Sequence, residues 1–233
     1  MKVLVSRKSI SKIQFISTLI ISLFNTISFL YFISQLKEMD RFLYMTWWNF
    51  YITSIFFIAI LICDTNLFIF KSKRFEHINY YFRNHFYPVI LVYGIFICII
   101  FWGVINPLSE YKQMGDNFYT IFRNCNVHGL IVVFLLIDMY FAERDKYSYN
   151  NNDVFMLFGI ITFYSILTII MRKYFNIIVY NFLEIVSFST MFLIGMSFYI
   201  FLFTFYNIYI KFIEWKMKGK NYTYFHKFDK IKI

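Results

Sequence analysis

Thr46, Asn49 and Thr53 recur at i, i+3 and i+7 in the stretch RFLYMTWWNFYIT (41–53), the spacing of one helical face. Far along the chain, His128 stands in NCNVHGLIVVFLLID (124–138), with Asn124 four residues before it and Asp138 ten residues beyond. An alcohol and an imidazole are the nucleophile and general base of acyl transfer. A threonine hydroxyl attacks a carbonyl only when a base takes its proton, and a neutral imidazole with an unperturbed pKa of about 6.5 suits that task. The oxyanion formed would need donors, and Asn49, the Trp48 indole and Asn124 are the candidates; Asn124 could instead fix the tautomer of His128.

Each of these residues has a plainer reading. The Thr46 hydroxyl can cap its helix or bond a carbonyl one turn back. His128 can be a histidine satisfied by helix packing. Trp47 and Trp48 fit an aromatic belt at the headgroup level, and Arg41 fits a side chain that snorkels to the interface. Asp138 lies about 15 Å deeper than His128 along a helix axis, too far to orient the imidazole. It is either a buried acid or the partner of a basic residue near the cytoplasmic face. No GxSxG, HExxH, P-loop or dinucleotide fingerprint occurs, and with 7 glycines there is no phosphate cradle, so no cofactor and no metal are expected. Cys63, Cys98 and Cys125 lie in or beside apolar runs without CxxC spacing, which argues for packing residues and against a disulfide framework or zinc site.

The elements that must position these groups are transmembrane helices. The 233 residues are 60% hydrophobic and 15% charged, against roughly half and a quarter in soluble domains, and mean hydropathy is +0.58. Apolar runs of bilayer-crossing length predict six helices, at about 13–35, 44–63, 86–106, 124–142, 154–171 and 186–210. The expected fold is therefore an all-α, polytopic integral membrane bundle (13–210) between basic tails at 1–12 and 211–233. The basic start MKVLVSRKSISK reads as the flank of an uncleaved first span. Of the 23 Lys and Arg, seventeen fall in the two tails and the second and fourth loops, and six in the other loops. Both termini are then expected to be cytoplasmic, with the sequon Asn221-Tyr222-Thr223 unglycosylated. Asp64, His77 and His85 read as interfacial residues, and Tyr149-Asn150-Asn151-Asn152 as loop surface. The net charge of +10 flanks apolar runs instead of lining a groove, which favours anionic lipid over nucleic acid. Few charged groups fall in mid-span and no Gly/Pro-interrupted helix pair is visible, which disfavours a channel or transporter.

Four segments, in order, resemble those of a known family: RFLYMTWWNFYIT at the second span; Phe86-Tyr87-Pro88-Val89 with Phe101-Trp102-Gly103-Val104 in the third; NCNVHGLIVVFLLID in the fourth; and Tyr174-Phe175-Asn176-Ile177-Ile178-Val179-Tyr180 before the last. The family is that of the androgen-induced and androgen-dependent TFPI-regulating proteins, which are similar in length and span number. The resemblance implies a transmembrane threonine hydrolase of fatty acid esters of hydroxy fatty acids, with Thr46 as nucleophile and His128 as base. It departs from the family where Cys125 replaces a first histidine, Gly129 follows His128 and Asn181 replaces a proline. The expected partner is a membrane lipid ester reaching the site laterally, in the endoplasmic reticulum or the plasma membrane; no protein partner is implied. An acyltransferase on the same architecture, and a non-catalytic scaffold in which Thr46 and His128 tie two helices together, are the alternatives.

Overall fold

The computed structural model describes residues 10–34, 44–105, 118–142, 149–179 and 187–218. The described residues form helices and no strand: α1 (Lys12–Ser34), α2 (Met45–Ile69), α3 (Lys73–Tyr81), α4 (Tyr87–Ile100), α5 (Phe118–Cys125), α6 (Ile131–Phe141), α7 (Asn151–Phe175) and α8 (Phe188–Lys218). Three π-helical turns, Phe82–Phe86, Phe101–Ile105 and Asn126–Leu130, join or extend α3, α4, α5 and α6. Six stretches are long and apolar enough to cross a bilayer: Lys12–Ser34, Met45–Ile69, Arg74–Gly103, Ile121–Phe141, Asn151–Phe175 and Phe192–Lys216. The chain is an integral, multi-pass membrane protein of all-α class.

Solvation explains why α1 lies as it does. Its exposed face carries Ile13, Ile16, Ile20, Leu23, Ile27 and Leu30, while Gln14, Thr18, Ser22, Asn25 and Ser28 are buried. Both sets recur at steps of three and four, so the helix is polar inward and apolar outward, as hydrocarbon requires. α1 packs along α2 in antiparallel register, with Phe32 against Trp47, Phe29 against Phe50, and the Ser22 hydroxyl donating to the Phe57 carbonyl at 2.8 Å. α4 is the most enclosed element: every residue from Tyr87 to Gly94 is buried, and it touches α2, α6, α7 and α8. α2 and α7 end alike. Lys71 (φ 50) and Asn176 (φ 54) turn left-handed, and Ser72 and Ile177 donate back across six residues to the Asn66 and Met171 carbonyls.

Several boundaries differ from expectation. The third span starts at Arg74 instead of 86 because the segment read as a basic loop is helical and continuous with α4 through a π turn. Arg83, counted there as a loop cation, is 4% exposed inside the bundle. The last helix runs to Lys218 instead of 210, and the Lys216 ammonium donates to the Met139 and Tyr140 carbonyls at 2.6 and 3.0 Å. A cation there complements the unpaired carbonyls that end α6. Asn150 is not mere surface: it caps α7 by accepting from the Asn152 amide at 3.0 Å. Arg41, Asn181, residues 1–9 of the amino tail, the tail beyond Lys218 and its sequon lie outside the described residues.

Candidate active site

Thr46 stands in the first turn of α2 and is 8% exposed; Tyr44 caps that helix without a side-chain hydrogen bond, so no side-chain cap secures the start. Asn49 and Thr53 follow on the same face, and both are buried. That stripe turns inward, as the spacing predicts. Asn49 meets α4 where α4 has no side chain: a Cβ on Gly94 would stand 3.7 Å from Asn49 Nδ2, 3.5 Å from Leu135 and 3.7 Å from Val132. α2, α4 and α6 therefore converge at this level.

His128 lies in the π-helical turn Asn126–Leu130, which packs against α2. Thr46 precedes Asn49, and His128 precedes Val132, by about one turn. α2 and the α5–α6 rod also run the same way along α1, since Phe32 meets both Trp47 and Phe122 while Phe24 meets Phe134. Both residues thus sit toward one end of the bundle. The imidazole, 7% exposed, is covered by the Phe101 ring at 3.4 Å between centroids and 4° between planes. Both rings come from π turns, which add a residue to a helical turn and so re-aim side chains. His128 Nδ1 is buried without a hydrogen-bond partner among the described residues. Among the described residues, stacking and not a carboxylate holds the ring plane. The π turn also alters the spacing between the half-buried Asn124 and His128, which would lie on one face of an unbroken α-helix.

The tryptophans divide. Trp47 turns into the bundle against Phe32, Phe50 and Tyr51 and is 7% exposed, so it does not serve as a headgroup belt. Ring contacts with α1 and with the next turn of its own helix account for the difference. Trp48 is half-buried and lies against Phe163 and Tyr164 of α7.

Asp138 belongs to a second polar group. Arg83 donates to both its oxygens, at 2.8 and 3.0 Å, and to Asp64 Oδ2 at 2.7 Å. Thr18 donates to Asp64 Oδ2 at 3.0 Å and Asn79 to Asp64 Oδ1. Asp138 is thus a buried acid, 1% exposed, that pairs with a basic residue. Asp64, expected at the interface, is fully buried because Arg83, Thr18 and Asn79 replace its water. A third group lies between the π turn that joins α3 to α4, α7 and α8: Asn150 Nδ2 is 3.0 Å from His85 Nδ1, and Tyr206 donates to Asp153 Oδ2 at 3.1 Å. His85 is therefore half-buried and paired with α7. Cys63, Cys98 and Cys125 are free thiols.

Sequence reasoning missed Phe101, Arg83 and the polar face of α1. The last was available: Gln14, Thr18, Ser22, Asn25 and Ser28 have helical spacing inside an apolar run. The Phe101 stack had no such signal, since it depends on two π turns that periodicity does not announce.

Comparison with the curated proteins and with the solved structures returns no match. A family model described as FAR-17a/AIG1-like protein matches residues 13–216, a range that takes in all six spans except Lys12. Thr46 and His128 both lie within it. The chain belongs to the FAR-17a/AIG1-like family.

Proposed function

We propose that this protein is an intramembrane lipid esterase in which Thr46 is the nucleophile and His128 the general base. The observation that supports the reading is the burial of two such groups toward one end of the bundle: a threonine on α2, and a histidine whose ring is stacked on Phe101 in a turn packed against α2. Membership of the FAR-17a/AIG1-like family is consistent with hydrolysis. The resemblance of the Thr46 and His128 segments to those of threonine hydrolases supplies the substrate class, fatty acid esters of hydroxy fatty acids or similar lipid esters.

The Thr46 oxygen attacks the ester carbonyl, and His128 takes its proton and hands it to the departing hydroxy-lipid. Water then cleaves the acyl-threonine. Asn49, held at Gly94 close to the same level, is the best-supported oxyanion donor of the three candidates, because Trp48 is turned to α7. Substrate dissolved in the bilayer enters between helices, so no aqueous mouth is needed.

Purified protein should hydrolyse such esters and accept an active-site-directed fluorophosphonate. Thr46→Ala and His128→Ala should each lose both properties while reaching the membrane at normal levels. Full turnover in either variant removes that residue from the mechanism. Product that appears only with an added alcohol acceptor would convert the reading to acyl transfer.

A further inference from the structure

The α1–α2 seam holds more polar atoms than the protein satisfies. Asn25 Oδ1, Asn49 Oδ1, Thr53 Oγ1, Ser54 Oγ and Asn126 Oδ1 are buried without hydrogen-bond partners among the described residues, as is His128 Nδ1. The five residues bearing the oxygens are at most 2% exposed. Their placement is coherent. The register set by Phe29 on Phe50 and Ser22 on Phe57 puts Asn25 opposite Ser54. One turn further along α1, Ser28 accepts from Asn126 Nδ2 at 3.1 Å, which ties the seam to the turn that carries His128. Thr53 and Asn49 continue from Ser54 toward Thr46 on α2. Buried polar atoms in native proteins are almost always paired, with protein or with ordered water. The three amide oxygens left over here only accept, while the Thr53 and Ser54 hydroxyls both donate and accept, and this set on three elements suits a small molecule that can donate twice and also accept.

We infer that the seam bounded by Asn25, Ser54, Thr53 and Asn126 binds water inside the bundle and supplies the molecule that resolves the acyl-enzyme. The supply role rests on the proposed esterase reading; the water site does not. In that step the water oxygen bonds to the acyl carbon and the bond from that carbon to Thr46 Oγ1 breaks. The proton lost by water passes through His128 to Thr46 Oγ1, which releases the fatty acid and restores the free threonine.

Hydroxyl-radical footprinting by X-ray radiolysis of the full chain in lipid nanodiscs tests the site, because the radicals form from water next to the side chain they label. Phe50 and Phe57, fully buried on α2 beside the seam, are the reporters; Phe96, equally buried on α4 against Phe198 and Phe201, is the control. Phe50 and Phe57 should be oxidised well above Phe96, and the excess should vanish in Asn25→Leu/Ser54→Ala. The same variant should form acyl-enzyme at the wild-type rate and hydrolyse it roughly tenfold more slowly, about the loss of one hydrogen bond. Equal labelling of the three phenylalanines in the wild type overturns the water site. Labelling abolished with deacylation unchanged overturns the supply role. Thr46→Ala that retains turnover sinks the esterase reading alone, because the labelling contrast does not depend on catalysis. If the double variant fails to fold, Asn126→Asp keeps an acceptor at that position and should keep the labelling excess, whereas Asn126→Leu should reduce it.

Discussion

Two polar regions lie in the same hydrocarbon-embedded bundle and are finished differently. Around Arg83, all four oxygens of Asp64 and Asp138 accept hydrogen bonds. Around His128, the buried Asn49, Asn126 and His128 each keep an atom without a hydrogen-bond partner among the described residues. Those carboxylates have no oxygen left without a donor, and the energy of the cluster is spent on holding helices: Arg83 joins α2 to α6, while Thr18 and Asn79 bring in α1 and α3. An unsaturated cluster has capacity for substrate, water or a moving proton. The difference marks the first region as structural and fits the second to the catalytic role proposed for it.

The comparison breaks most sharply at Arg83. Arg83→Met leaves two carboxylates buried beside each other with no counter-charge, and removing one partner of a buried pair typically costs about 3–5 kcal/mol. The variant should unfold at much lower temperature in detergent or fail to accumulate. Asp138→Asn should cost less, about 1–3 kcal/mol, because the guanidinium keeps Asp64 and the amide can still accept. Thr46→Ala should leave the midpoint near wild type. A thermally normal Arg83→Met would erase the distinction between the two regions.

A smaller effect is expected at Phe101, which touches the chemistry only through the imidazole. Phe101→Leu removes the parallel stack at 3.4 Å, an interaction worth roughly 0.5–1.5 kcal/mol for aromatic pairs. If His128 is the base proposed for Thr46, a ring released from that plane spends less time in the reacting geometry. The expected outcome is a kcat lowered about tenfold with KM nearly unchanged, since a positioning contact acts on the reacting geometry rather than on lipid binding. Phe101→Tyr, which keeps the ring, should restore most of the loss. An equal fall in kcat for Leu and Tyr would mean that the site is merely disturbed.

How far the sequence carries follows the same division. Six apolar runs predict six spans, because hydrophobic length is a local property that hydrocarbon reads directly. Thr46, Asn49 and Thr53 share a face, and that face is buried, because helical spacing and the cost of polar groups in lipid act together. What the residues alone did not reveal depends on partners from distant segments. Asp64 and Arg83 look interfacial until Asp138 and Asn79 are brought to them. Asn150 looks like low-complexity surface until its amide meets His85 and its main chain meets the Tyr206 hydroxyl. The π turns that aim Phe101 and His128 leave the hydropathy pattern unchanged, so a reading based on periodicity passes over them.

The gentlest test lies between the regions, at Gly94. The Cβ of Gly94→Ala would meet Leu135, Asn49 Nδ2 and Val132 at 3.5–3.7 Å, ordinary contact distances. The glycine is therefore not required by close approach, and replacing it in mid-helix removes a conformational cost of roughly 0.5–1 kcal/mol. The variant should be slightly more stable than wild type, with kcat within about twofold, because the new methyl fits beside the Asn49 amide without displacing it. Gly94→Val carries two further methyl groups into the same contact and must move Asn49 or Leu135; overpacking of this kind typically costs about 1–3 kcal/mol. If Asn49 donates to the oxyanion, the valine variant should lose kcat well beyond its loss of stability, and Asn49→Ala should then lose no more when combined with it. If the two losses simply add, Asn49 acts independently of its seat on α4, and the oxyanion donor must be sought elsewhere along the turn that carries His128.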